Sequence, residues 1–217
     1  MKKKIVVTVF SVLLATTMMP LSAFAESDLN NEKKAATEIT KQINENVYQL
    51  LDFDDKQEEE FATKGFITAP ETLTIKDDND NTIFDQSVYD FVKDTDAPDS
   101  ANPSLWRNTQ LNTNYGLFQV TDDIYQVRGY DVSNMTFVRS DNGWIILDCL
   151  ASETTAKAAL DLFKSEMGDV HISAVIISHA HVDHYGGIQG ILTAEELADS
   201  TLSLEDQIAS GKTAIIV

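Results

Sequence analysis

The chain has a single cysteine, Cys149, so no internal disulfide can staple the fold. Positive charge is scarce as well: 16 Lys and Arg stand against 35 Asp and Glu, a formal net charge of −19. A nucleic-acid partner is disfavoured on that ground, because phosphate binding needs clustered basic residues. Runs such as Asp54, Asp55, Glu58, Glu59 and Glu60 read instead as solvated surface. No apolar stretch reaches the roughly 20 residues of a membrane-spanning helix. The longest, Ile5 to Met19, is interrupted by Thr16 and Thr17 and ended by Pro20. Lys2, Lys3 and Lys4 precede it and Ala23-Phe24-Ala25 follows, which is the order of an export signal cleaved after Ala25, with an uncleaved anchor as the rival. The protein is then expected outside the cytoplasm, secreted or periplasmic. No cysteine lies near the cleavage point to make a lipoprotein, and no internal repeat or low-complexity tract is visible.

What remains reads as alternating strands and helices. From Asn30 to Leu51, Ile39, Ile43, Val47 and Leu50 share one helical stripe, expected to pack on the body of the protein, with a partner-binding helix as the rival. Leu73 to Phe84 reads as a hairpin around Asp77 to Asn81. A calcium loop is excluded there, since Thr82 and Val88 occupy the positions where such a loop requires glycine and glutamate. Ala97 to Leu111 reads as irregular because of Pro98 and Pro103. Short strands follow at Gly116 to Val120, Ile124 to Arg128 and Met135 to Arg139, and Asp141-Asn142-Gly143 turns the chain into Trp144 to Asp148. Ala156, Ala159, Leu160, Phe163 and Met167 then keep helical spacing until Gly168. Ile172 to Ser178 is a nearly all-apolar strand, and Thr213 to Val217 reads as another whose partners lie outside the chain. Cys149 reads as a small core residue, and His171 as a surface or packing histidine.

Three of the four histidines and an aspartate fall within six residues, His179-Ala-His181-Val-Asp183-His184, at the end of that apolar strand. Zinc takes neutral imidazole nitrogens and carboxylate oxygens, and a catalytic zinc keeps a position open for water. Donors so close on one loop suit two neighbouring ions. Tyr185-Gly186-Gly187 then lets the backbone turn tightly into a helix beneath them.

The pattern His-x-His-x-Asp-His resembles the metal motif of the metallo-β-lactamase superfamily. A narrower resemblance, to the bacterial alkyl sulfatases that hydrolyse dodecyl sulfate and similar esters, is carried by DTDAPDSANPSLWR ending at Arg107, by Gly116-Leu117-Phe118 and by IYQVRGYDVSNMT from Ile124 to Thr136. The resemblance implies an α/β fold, the first half of an αββα sandwich preceded by an N-terminal helix and hairpin. It divides the chain into a signal peptide (1–25), an entry region (26–111) and a partial metallo-β-lactamase domain (112–217). It implies two zinc ions, with His179 and His181 on one and Asp183 and His184 on the other, and Asp183 in the catalytic centre. It implies that Asp148 holds the ligands from behind by hydrogen bonds, against the plainer reading of a capping or turn aspartate. Cys149 stands where the family commonly has proline.

The substrate implied is an alkyl sulfate ester, cleaved to alcohol and sulfate, and the family is dimeric. Its further metal ligands and sulfate-binding groups come from the second half of the fold. Glu195, Glu196, Asp199, Glu205 and Asp206, the acids available after His184, sit on helical or linker sequence instead. The chain is therefore expected to be an N-terminal part of such an enzyme, with a non-catalytic truncated product as one alternative. A related hydrolase of another ester, a lactone, a β-lactam or a phosphodiester is the other, and the string from Asn102 to Arg107 argues against it.

Overall fold

The computed structural model describes residues 34–217. The export segment lies outside them. Helices α1 (Glu38–Leu50) and α2 (Gln57–Thr63) lead to strand β1 (Phe66–Thr68) and to the hairpin of β2 (Thr74–Lys76) and β3 (Thr82–Asp85). The hairpin turn is built on Asp77, whose carboxylate accepts the backbone N–H groups of Asn79 and Asn81 at 2.9 and 2.8 Å. This is the local hydrogen bonding that makes aspartate a turn residue. A 3₁₀ helix (Gln86–Val92) and α3 (Pro103–Leu111) follow, then β4 (Gly116–Thr121), β5 (Ile124–Arg128), β6 (Met135–Ser140) and β7 (Gly143–Leu147). Helix α4 (Glu153–Met167) crosses to β8 (Ile172–Ile176); α5 (Val182–Tyr185), α6 (Ile188–Ile191), α7 (Leu204–Ala209) and β9 (Ala214–Ile216) complete the order.

Seven strands form one sheet in the order β1-β4-β5-β6-β7-β8-β9, antiparallel as far as β7 and parallel from there. Side chains alternate between faces along a strand. The register therefore puts Val127, Met135, Phe137, Ile146 and Val175 on one face, where they are fully buried beneath α4. Phe163 of α4 centres this core, stacked on Phe137 at 3.8 Å with the edge of Trp144 against it at 4.9 Å. Ile124, Val138, Ile145, Leu147 and Ile176 take the opposite face and are only half-buried. The result is a mixed α/β layer with its main helix on one side, as the half-sandwich reading expects.

Four details differ from the sequence reading. Pro103 does not break structure; it opens α3, because the first helical position needs no N–H, and Asn102 caps it by accepting the N–H groups of Ser104 and Leu105. The apolar stripe of α1 is not packed on the body: Ile39 is 72% and Leu50 80% exposed. The helix attaches by polar groups, Asn44 donating to the carbonyl of Asp99 at 2.8 Å and Lys41 pairing with its carboxylate at 3.5 Å. The last strand does find a partner within the chain, since β9 pairs in parallel with β8 from Ala174–Ala214 to Ile176–Ile216. Finally, helical structure begins before the two glycines, so that Asp183 and His184 sit on the single turn of α5.

Candidate metal centre

β7 and β8 run side by side in the same direction, so the residues that follow them, Asp148 and Ser178, emerge together. Asp148 and Leu150 both adopt left-handed backbone conformations, with φ of 58° and 62°. Such angles are costly for side-chain-bearing residues and collect at functional sites. Here they fold the segment from Asp148 to Ser152 back under α5. The N–H of Cys149 donates to the carbonyl of His184 at 2.8 Å, and that of Gly187 to Leu150 at 2.9 Å. Gly187 has no room for a side chain, because a Cβ there would lie 1.9 Å from the carbonyl oxygen of Cys149. Cys149 is fully buried, and burial pushes its thiol up to about 12. It is a packing residue, as its sequence context suggested.

The Asp148 carboxylate organises the loop. Oδ1 accepts the backbone N–H of Ser178 at 2.8 Å; Oδ2 lies 2.8 Å from both Ser178 Oγ and His184 Nδ1. Burial pushes this carboxyl up, but the hydrogen bonds from Ser178 and His184 outweigh it and hold the group below the usual carboxylate range. An ionised carboxylate only accepts, so His184 carries its proton on Nδ1 and presents a bare Nε2. Ser178 Oγ, donating to Asp148, is left to accept from His179 Nδ1 at 3.0 Å, which bares His179 Nε2 in turn. One carboxylate thus sets the tautomers of two histidines.

The donor atoms that result form two pairs. His179 Nε2 is 3.0 Å from His181 Nδ1, and His184 Nε2 is 3.2 Å from Asp183 Oδ2. Two ligands about 2.0–2.2 Å from one tetrahedral ion are separated by roughly 3.3–3.5 Å. Each pair therefore has nearly the spacing of one edge of a zinc coordination tetrahedron, and the chemistry of the donors fits that metal. Among the described residues no third His, Cys, Asp or Glu converges with either pair. Three of the five later acids are engaged locally: Glu196 accepts from Thr193, Asp199 from Thr201 and Asp206 from Ser203. His171 is exposed at the opposite end of β8.

Two residues to which the sequence assigns no role, Ser133 and Asp131, brace the loop and the segment beneath it. Ser133 Oγ donates to the carbonyl of Asp183. Its neighbour Asp131 accepts the hydroxyl of Thr155 at 2.6 Å and the N–H of Ala151 at 3.1 Å, tying the segment to the start of α4. Both residues lie in the string from Ile124 to Thr136, which carried the resemblance but no assigned role. The string from Asn102 to Arg107 is structural too. Trp106 Nε1 donates to the carbonyl of Thr95 at 3.0 Å, and Arg107 donates to the carbonyls of Asp52 and Asp55. Beside His184 opens a cavity of about 340 Å³, lined by Gln126, Asn134 and Thr136 as well as by Leu147 and Ile176.

A metallo-β-lactamase superfamily model matches residues 128–199. The linear primary-alkylsulfatase of a Pseudomonas species is 49% identical over 160 residues, covering 73% of this chain and 24% of the relative. The (R)-specific secondary-alkylsulfatase of a Pseudomonas species is 41% identical over 185 residues, covering 85% of this chain and 27% of the relative. The solved structure of a stereoselective inverting sec-alkylsulfatase from Pseudomonas superposes with a TM-score of 0.71 at 40% identity, covering 84% of this chain and 27% of that one. The chain spans about a quarter of the length of these relatives.

Proposed function

Because the chain belongs with the alkylsulfatases of the metallo-β-lactamase superfamily, we propose that it supplies the first metal-binding half of a hydrolase that splits alkyl sulfate esters into alcohol and sulfate. The observation that carries this reading is the pairing of donors, His179 with His181 at 3.0 Å and Asp183 with His184 at 3.2 Å, each a little closer than two ligands of one zinc ion. Zinc, when bound, supplies an electrophile for an ester oxygen and lowers the pKa of water toward neutrality. The chain's own contribution is to present the four donors in their ligating protonation states. Asp148 fixes His184 directly and His179 through Ser178, while Ser133 and Cys149 hold the backbone carbonyls of Asp183 and His184.

Two donors per ion make a weak site, so these residues by themselves are expected to hold zinc loosely and to leave the ester intact. Sulfate release from dodecyl sulfate with added zinc tests this on two proteins. One is the 217-residue chain; the other is the same chain joined to the remaining residues of the linear primary-alkylsulfatase. The joined protein should turn over and lose activity on Asp183→Ala, whereas the chain alone should not. Hydrolysis of a lactone or β-lactam in place of the sulfate ester would replace the substrate class. Export is proposed as well, from the segment ending at Ala25; N-terminal sequencing of the secreted protein should begin at Glu26.

A further inference from the structure

The loop between β5 and β6, residues 129–134, is the part of the body on which the ligand loop leans. Ser133 donates to the carbonyl of Asp183. Asp131 accepts the N–H of Val132 at 2.7 Å on Oδ1, and on Oδ2 both the Thr155 hydroxyl at 2.6 Å and the N–H of Ala151 at 3.1 Å. Thr155 is buried in the first turn of α4, and its proton is spent on Asp131. Ser152 Oγ, 2.9 Å away, therefore donates to the Thr155 hydroxyl while it accepts the Thr155 N–H at 3.1 Å. Asp131 thus ends a chain of hydroxyls that runs out from the cap of α4.

The segment from Asp148 to Ser152 is what that chain secures. Its course needs left-handed angles at Asp148 and Leu150, 58° and 62°, and such angles persist only where the surroundings enforce them. The carbonyls of Ile176 and His184 hold the N–H groups of Asp148 and Cys149, and the N–H of Gly187 holds the carbonyl of Leu150. Ala151 follows the second strained residue, and its N–H has no acceptor but Asp131 among the described residues. Without that carboxylate Thr155 can turn to the carbonyl of Ser152 at 3.1 Å, whereas Ala151 has no such alternative. An N–H left without a partner favours relaxation of the segment. What moves with it is the Asp148 carboxylate, which fixes the proton of His184 directly and that of His179 through Ser178.

We infer that Asp131 is a positioning residue for the metal loop: by holding Ala151 it keeps the left-handed segment in place and Asp148 aimed at His184. Ser133 holds the other side of the same turn at Asp183. The value of this arrangement to a hydrolase rests on the proposed function, but the link from Asp131 to the His184 proton exists without metal.

Long-range proton–nitrogen correlation spectra of the full chain, stripped of metal by a chelator, read the ring protons directly. The native protein should show His184 protonated at Nδ1, and Asp131→Ala should show a mixture of the two ring tautomers. Its zinc affinity, measured separately by competition with a chromophoric chelator, should fall about tenfold, the lower end of the range for groups that orient metal ligands. Asp131→Asn should keep both properties close to native, because its carboxamide oxygen can still accept from Ala151 and Thr155. Thr155→Val separates positioning from stability: it should lower the thermal transition and leave the His184 proton in place. A native His184 protonated at Nε2, a native-like tautomer in folded Asp131→Ala, or the same mixture in Thr155→Val overturns the assignment. Loss of the Nδ1 proton in Asp131→Asn does so too, since the effect would then be one of charge. If Asp131→Ala does not fold, the backbone amide proton of Ala151 in Asp131→Asn decides: it should shift upfield as its acceptor loses charge, and an unmoved resonance counts against the link. A shifted tautomer in a chain that binds no zinc leaves Asp131 standing and removes the hydrolase. Zinc binding that Asp131→Ala leaves unchanged, with a native tautomer, does the reverse.

Discussion

Replacing Asp148 by asparagine removes a charge and one acceptor while keeping the shape of the side chain. In the native protein both oxygens are used, Oδ1 by the N–H of Ser178 and Oδ2 by Ser178 Oγ and His184 Nδ1, each at 2.8 Å. Asparagine keeps the first contact through its carbonyl oxygen and turns an NH₂ toward the other two. His184 then accepts at Nδ1, its proton moves to Nε2, and the nitrogen that faces Asp183 at 3.2 Å is no longer a ligand. The charge-assisted hydrogen bond lost is worth roughly 1.5–3 kcal/mol. Changes in groups that orient metal ligands typically lower affinity about 10–100-fold. Competition for zinc with a chromophoric chelator measures the effect, and circular dichroism confirms the fold. The His179–His181 pair should weaken less, because it feels Asp148 only through Ser178. An affinity within about twofold of the native value, in a folded Asp148→Asn protein, would refute the tautomer argument.

Three further outcomes follow from the packing. Gly187→Ala should destabilise the fold by roughly 1–3 kcal/mol, the range for overpacking, because its Cβ would meet the carbonyl oxygen of Cys149 at 1.9 Å and the Cβ of Ala156 at 2.5 Å; denaturant unfolding reads this. Phe163→Ala should cost about 3–5 kcal/mol, since the ring is fully buried against Phe137 and Trp144. Cys149, with its thiol held up to about 12 against an ordinary 9, should stay unmodified by thiol reagents at pH 8 until the chain unfolds. Its burial stabilises the fold fully below pH 9, and that contribution should decline as pH rises from there toward 12.

Much of the sheet was legible because its signals are local. Alternating apolar residues, the Asn142-Gly143 turn and the Gly168 stop each act over a few residues, and β4 to β8 with α4 appear within a residue or two of their expected bounds. Pro103 is ambiguous in sequence because proline has opposite meanings inside a helix and at its first position, and it is the capping side chain of Asn102 that decides between them. The stripe on α1 gave the right helix and the wrong partner, because periodicity specifies a face and says nothing about what covers it. β9 was recognised as a strand, but its pairing with β8 is a tertiary fact. That three histidines and an aspartate share one loop is visible in the sequence. The supports of that loop are not: Ser133 and Asp131 reach Asp183 and Thr155 across 50 and 24 residues of sequence. Ser178 is the exception, since it stands next to the candidate donor His179 in sequence.

The account stands most directly on zinc titration of the purified chain, followed by metal analysis of the native protein and of its His181→Ala and Asp183→Ala variants. It predicts weak binding that a chelator readily strips, with each substitution removing binding at its own pair and sparing the other. Two tightly held ions would show that further ligands complete the site, and no binding at all would contradict the reading of these four residues as metal donors.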